Sequence, residues 1–109
     1  MSTQFSTKLI NNVGTSTVTV VTAPSNGTIT VIGLSLANLT QDIVKANIII
    51  NDNLGNSAYY ARNIIVPPNT SLRVVNGGER LTLASNYFVT LSANEAAAFD
   101  AVVSYVTIL

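Results

Sequence analysis

The sequence predicts an all-β fold, a two-sheet antiparallel β-sandwich of jelly-roll type, and three observations carry that reading. Apolar residues recur with period two along most of the chain. The alternating runs are dominated by β-branched and aromatic residues, which suit a pleated, half-buried surface. Gly, Pro, Asn and Ser interrupt these runs at close to the ~8–12 residues expected of a sandwich or barrel.

Residues 1–13 show no such alternation. They read as an N-terminal arm that orders only against a neighbour through Phe5, Leu9 and Ile10, ahead of a domain spanning 14–109. Val18 and Val20 then alternate with threonines until Ala23-Pro24-Ser25-Asn26-Gly27 breaks the run. Ile29 and Val31 start a second strand, and Ile32, Leu34 and Leu36 continue it in the opposite phase. Gly33 sits at that slip, where a β-bulge absorbs the extra residue. Val44, Ala46, Ile48 and Ile50 form the next inward set, closed by the hairpin turn Asn51 to Asn56.

Strands follow at Ala58 to Val66, Leu72 to Val75 and Leu81 to Leu83. Pro67-Pro68 cannot donate ladder hydrogen bonds and ends the first of these. Asn76-Gly77-Gly78 offers the positive φ of a tight turn between the other two. Tyr87, Val89 and Leu91 alternate next, and Ala97 to Ile108 is a long last strand. Ala93 to Ala98 is too short for a stable helix and reads as a loop. The expected interior is Val18, Val20, Leu34, Leu36, Ile48, Ile50, Leu72, Val74, Leu81, Leu83, Val89 and Val103.

Composition narrows the chemistry. One domain of 109 residues is long enough for a single core without staples. Charged residues make up 9% of the chain, against about 25% in average usage. Five basic and five acidic residues cancel, so nothing draws the protein toward nucleic acid or anionic lipid. The longest apolar clusters are far shorter than a membrane span, and the N-terminus lacks the apolar region of a secretion signal. The expected site of synthesis is therefore the cytoplasm. On that basis the sequons at Asn26, Asn38 and Asn69 read as turn residues rather than glycosylation sites.

The chain has no His and no Cys, which removes the commonest general base, metal ligand and soft nucleophile. The carboxylates Asp42, Asp52, Glu79, Glu95 and Asp100 are scattered. Around Asp52 the oxygen-rich turn lacks the alternating acids and closing Glu of a calcium loop. Tyr59, Tyr60 and Arg62 suggest a stacking platform, but neighbouring strand residues face opposite ways and no basic cluster surrounds them. The expectation is a protein with no catalytic residues, no metal and no cofactor.

Several stretches together resemble one family. They are Thr22-Ala23-Pro24, the break after Leu34 to Asn38, Val66 to Leu72, Asn76 to Ala84, and the ending Val102 to Ile108. In this order they look like the small β-sandwich virion proteins of tailed bacteriophages, over roughly Gly14 to Ile108. The chain departs from them at Ala84-Ser85-Asn86, where relatives often carry Ala-Gly-Asp. The resemblance implies a structural, non-enzymatic role in the virion, assembled in the host cytoplasm.

Within that implication, the favoured expectation is a capsid decoration or cement protein that binds the head shell. Its partners would be the major capsid protein and further copies of itself, with a trimer ahead of a dimer because shells offer threefold positions. The alternative is a neck, tail or fibre component contacting a host receptor or glycan through Tyr59, Tyr60 and Tyr87. Apolar residues on both faces of the last strand support a surface lost to partners. The residues expected at the assembly interface are Phe5, Leu9, Ile10, Tyr59, Tyr60, Phe99 and Tyr105.

Overall fold

The computed structural model describes residues 2–75 and 80–109, and in these the fold is all-β. Its strands are β1 (Thr3–Val13), β2 (Val18–Thr22), β3 (Thr28–Asn38), β4 (Val44–Asn51), β5 (Ser57–Val66), β6 (Ser71–Val75), β7 (Leu81–Leu83), β8 (Phe88–Ala93) and β9 (Phe99–Ile108). The Asn76-Gly77-Gly78 turn expected between β6 and β7 lies outside the described residues.

Two antiparallel sheets face each other. One has the order β1-β9-β3-β6, with β7 also paired to β3; the other runs β2-β8-β4-β5. The first strand thus pairs with the last, the second with the last but one, and β4 with β5. That nesting is a jelly roll, in which a long folded ribbon is wound so that its two halves become facing sheets. The core between them includes the fully buried Val20, Leu36, Ile48, Leu83, Leu91 and Phe99.

Segment 3–13 corrects one expectation. It is not an arm awaiting a neighbour but the strand β1, paired with β9 continuously from Thr3 opposite Ile108 to Ile10 opposite Ala101. Its order comes from backbone pairing, since most of its side chains are exposed.

Bulges decide which residues face inward. Between Val31 and Gly33 the pairing with β9 slips by one, as expected, and the supernumerary residue is Ile32. Ile29 and Val31 are buried before the slip, Leu34 and Leu36 after it, while Ile32 is half-buried and outside the inward set. A Cβ on Gly33 would touch nothing closer than 3.9 Å, so the bulge does not depend on glycine. A second slip, between Leu34 and Ser35 in the pairing with β6, buries Val75 where Val74 was expected. A third, in β2, buries Val20 and Val21 together and leaves Val18 half-buried. Ile50, Leu72 and Leu81 are half-buried against the core rather than within it.

Crossovers at one end of the sandwich are tied together by Asn38, at the end of β3. Its Nδ2 donates to the carbonyls of Asp42 (2.9 Å), Val66 (3.0 Å) and Pro67 (3.0 Å). Its Oδ1 accepts from the Thr40 backbone N–H and Oγ1, both at 2.8 Å. Asn38, read from the sequence as a turn residue, is a buried hub at the end of β3. Val66-Pro67-Pro68 ends β5 and supplies two of the carbonyls that Asn38 binds.

The other end relies on close approach. A Cβ on Gly27 would lie 2.4 Å from the Ile108 carbonyl oxygen, so only glycine lets this turn lie against the end of β9.

Replacing Asn38 by Ala should leave several buried carbonyls and an N–H without partners, at a cost of about 3 kcal/mol. Thermal unfolding should then shift down by about 10 °C or more. A change of less than about 2 °C would show that water replaces the amide.

Candidate interaction surfaces

The residues expected at an assembly interface do not converge. Phe5 and Leu9 stand on the outer side of β1, 74% and 69% exposed. Their β9 partners are Val106 and Val102, with Val102 also exposed. Thr7 lies between them opposite Ser104, and Ser104 in turn pairs with Gly33. Small residues thus floor two shallow depressions that share Ile32 and Ser104, one lined also by Phe5 and Thr7, the other by Gly33, Ser35, Val102 and Arg73.

Ile10 is half-buried and packs against the core. Phe99 is fully buried, which removes it from any surface. Parity along the last strand correctly groups Phe99, Ala101, Val103 and Tyr105, but this face is the inner one. Val106, on the opposite face, is itself nearly buried.

Tyr59 and Tyr60 separate as alternation requires. Tyr60 packs against the core, as does Tyr87, while Tyr59 is 53% exposed on β5. The Arg62 guanidinium lies 5.3 Å from the Tyr59 ring centroid, the geometry of a cation–π contact. The three tyrosines therefore form no exposed aromatic cluster.

Tyr105 is half-buried and lines a cleft of about 490 Å³ between the β1 and β2 edges. Lys8, Val20, Thr22, Ile29 and Leu109 share its walls. Lys8 sits opposite the buried Val103, so its side chain leaves β1 on the inner side and reaches solvent at this opening. Sequence alternation alone did not reveal the cleft, because the distance between the two sheet edges is a tertiary property.

The described carboxylates include two held by the chain's own backbone. Asp100 Oδ1 accepts from the Asn12 N–H at 2.8 Å. Asp52 closes the β4–β5 hairpin: Oδ1 accepts from the Leu54 and Asn56 N–H groups, and Oδ2 accepts from Asn56 Nδ2. Gly55 and Asn53 supply the positive φ of that turn, at 94° and 62°. The Asn56 side-chain hydrogen bond, then the Leu54 N–H, hold the Asp52 carboxyl below its ordinary pKa of 3.8. Among the described residues no three metal-ligating side chains gather, and no helix is long and apolar enough to cross a membrane.

No protein-family model matches the chain, and no curated protein matches it either.

Two predictions follow from side-chain placement. Phe99→Ala should cost about 4 kcal/mol, because it empties a packed site between the sheets. Phe5→Ala should change stability by less than about 0.5 kcal/mol. Denaturant titration of both variants decides this, and equal costs would mean that Phe5 is covered. Because the folded Asp52 pKa is depressed, its contribution is present above pH 3.8 and is lost as pH falls through the lower folded value. Exchange protection at the Leu54 and Asn56 amides should drop in that window, and the drop should be absent in Asp52→Asn.

Proposed function

We propose that this protein is a non-enzymatic structural component of a bacteriophage virion, a decoration or cement protein that binds the head shell. The outer face of the β1-β9-β3 sheet carries the reading. Phe5, Leu9 and Val102 are exposed there among Thr7, Ser104, Ser35 and Gly33, so the face is apolar and uncharged from β1 to β3, with Arg73 beyond Ser35 on β6. Soluble domains rarely leave large exposed apolar side chains clustered on a flat face unless a partner covers them. Jelly rolls are a recurrent solution for shell-building and shell-binding proteins, because two stiff sheets present broad faces. The sequence resemblance to small virion sandwiches points the same way.

Cementing needs no chemistry. A protein bridging neighbouring shell subunits adds binding energy that is lost only when the shell comes apart, and so stabilises the assembled state by mass action. Scarce charge makes such attachment depend on burial and shape, and therefore tolerant of salt.

Heads purified from particles lacking this gene provide the test. Purified protein should sediment with them in a saturable amount and raise the temperature at which they release DNA. Phe5→Arg with Leu9→Arg should fold normally and lose at least tenfold in head binding. Binding to host cells or tails with none to heads would overturn the decoration reading and move the protein to the neck, tail or fibre.

A further inference from the structure

We propose that β1 is a self-pairing edge, joining two copies about a twofold axis at Thr7 into one continuous sheet. This inference does not depend on where the protein acts, and the purified protein tests it.

The sandwich has free sheet edges, and they are not alike. β2 is five residues long, is bulged between Thr19 and Val21, and is followed closely by Pro24. β5 carries two register shifts opposite β4, and Asn63 within it has a left-handed φ of 51°. β6 and β7 have five and three residues and share the flank of β3. Shortness, bulges and proline are the usual devices that stop an edge from recruiting another strand.

β1 lacks them. It is 11 residues long and regular from Thr3 to Ile10, and β9 alone among the strands pairs with it. Its one charge, Lys8, leaves on the inner side toward the cleft, so the outer side carries Thr3, Phe5, Thr7 and Leu9.

The spacing of those residues selects the partner and the register. In an antiparallel pair, opposite residues share a face, and a twofold axis perpendicular to the sheet keeps outer faces together. The sum of paired residue numbers must then be even. With a sum of 14, Thr7 faces its twin, and Phe5 faces the partner's Leu9 twice over. Such aromatic–aliphatic cross-strand pairs stabilise a sheet. A sum of 16 would set Lys8 against Lys8, and a sum of 12 would set Phe5 against threonine. Self-complementarity about Thr7 is therefore a property of the sequence read on this edge, and it names a second copy as the occupant.

Seven paired residues, Gln4 to Ile10, make a strip of about 23 Å by 10 Å, roughly 460 Å² over both copies. Phe5 and Leu9 on its outer side bring this toward the ~1,000 Å² of a specific interface. The dimer is accordingly concentration-dependent. Pairing also merges two outer faces and places all four apolar side chains at the centre of the joined sheet.

Absence of native cysteine makes the test clean. Opposed Cα atoms in an antiparallel pair lie ~4.5–5.5 Å apart, within disulfide reach. Under mild oxidation, Thr7→Cys should form a covalent dimer. Phe5→Cys and Leu9→Cys should each cross-link at least tenfold more slowly alone, and rapidly when mixed with each other. Sedimentation of the native chain should show a monomer–dimer equilibrium that Phe5→Arg with Leu9→Arg shifts at least tenfold toward monomer, with unchanged circular dichroism. A monomer at every concentration, a trimer, or equal cross-linking at all three positions would overturn the proposal.

Discussion

The Asn38 amide holds together the end of the sandwich where the chain repeatedly changes sheet. Crossovers 39–43 and 67–70 run between the sheets there, and each carries backbone groups that leave the strand ladders. Buried polar groups without partners cost more than a hydrogen bond gains. A single planar amide, with two N–H donors and an oxygen, serves both crossovers at once. Prolines at 67 and 68 reduce the demand further, since they bring carbonyls to bind but no N–H to satisfy.

Backbone bonds extend this tie into the neighbouring loops. The Leu39 N–H donates to Ala98, the Ala98 N–H to Val13, and the Ala93 N–H to Gly14. The Asn69 N–H donates to Thr40 and the Asn94 N–H to Lys45. Four connections that are remote in sequence therefore stop one end of the sandwich from splaying. Asn is also the residue that absorbs awkward geometry elsewhere: Asn12, Asn53, Asn63, Asn69 and Asn86 adopt positive φ. Asn tolerates the left-handed region better than other residues with a Cβ, because its short amide bonds locally. An Asn-rich chain with few glycines can thus make many tight connections without becoming floppy in the unfolded sense that glycine brings.

With both ends fixed, the sheets differ in what they leave outside. Bulges in β2, β3 and β5 re-aim side chains and spoil pairing along those strands, whereas β1 stays regular over Thr3 to Ile10. The same geometry that fills the core therefore leaves one long edge and one apolar face available. The proposed partner binding and the proposed self-pairing both draw on that contrast, through Phe5 and Leu9. Electrostatics has little part in either, because Arg73, at the β6 side opposite Ser35, is the charge that the described outer face carries near Val102.

Period-two alternation and turn residues alone determined the all-β class, the strands β2 to β9 within a few residues, the slip at Gly33 and the hairpin at Asp52. These are local properties: each strand's pleat and each turn's dihedrals follow from neighbouring residues. Tertiary structure decided the rest. β1 was invisible because its order comes from the β9 backbone and not from a buried side-chain pattern. Alternation put Phe99 and Val102 on opposite faces, but only the facing sheet made Phe99 core and left Val102 outside. Tyr60 went inward for the same reason. Asn38 looked like any turn asparagine until residues 28 positions away arrived to bind it. A sequence states which residues share a face; which face is covered depends on where the other sheet lies.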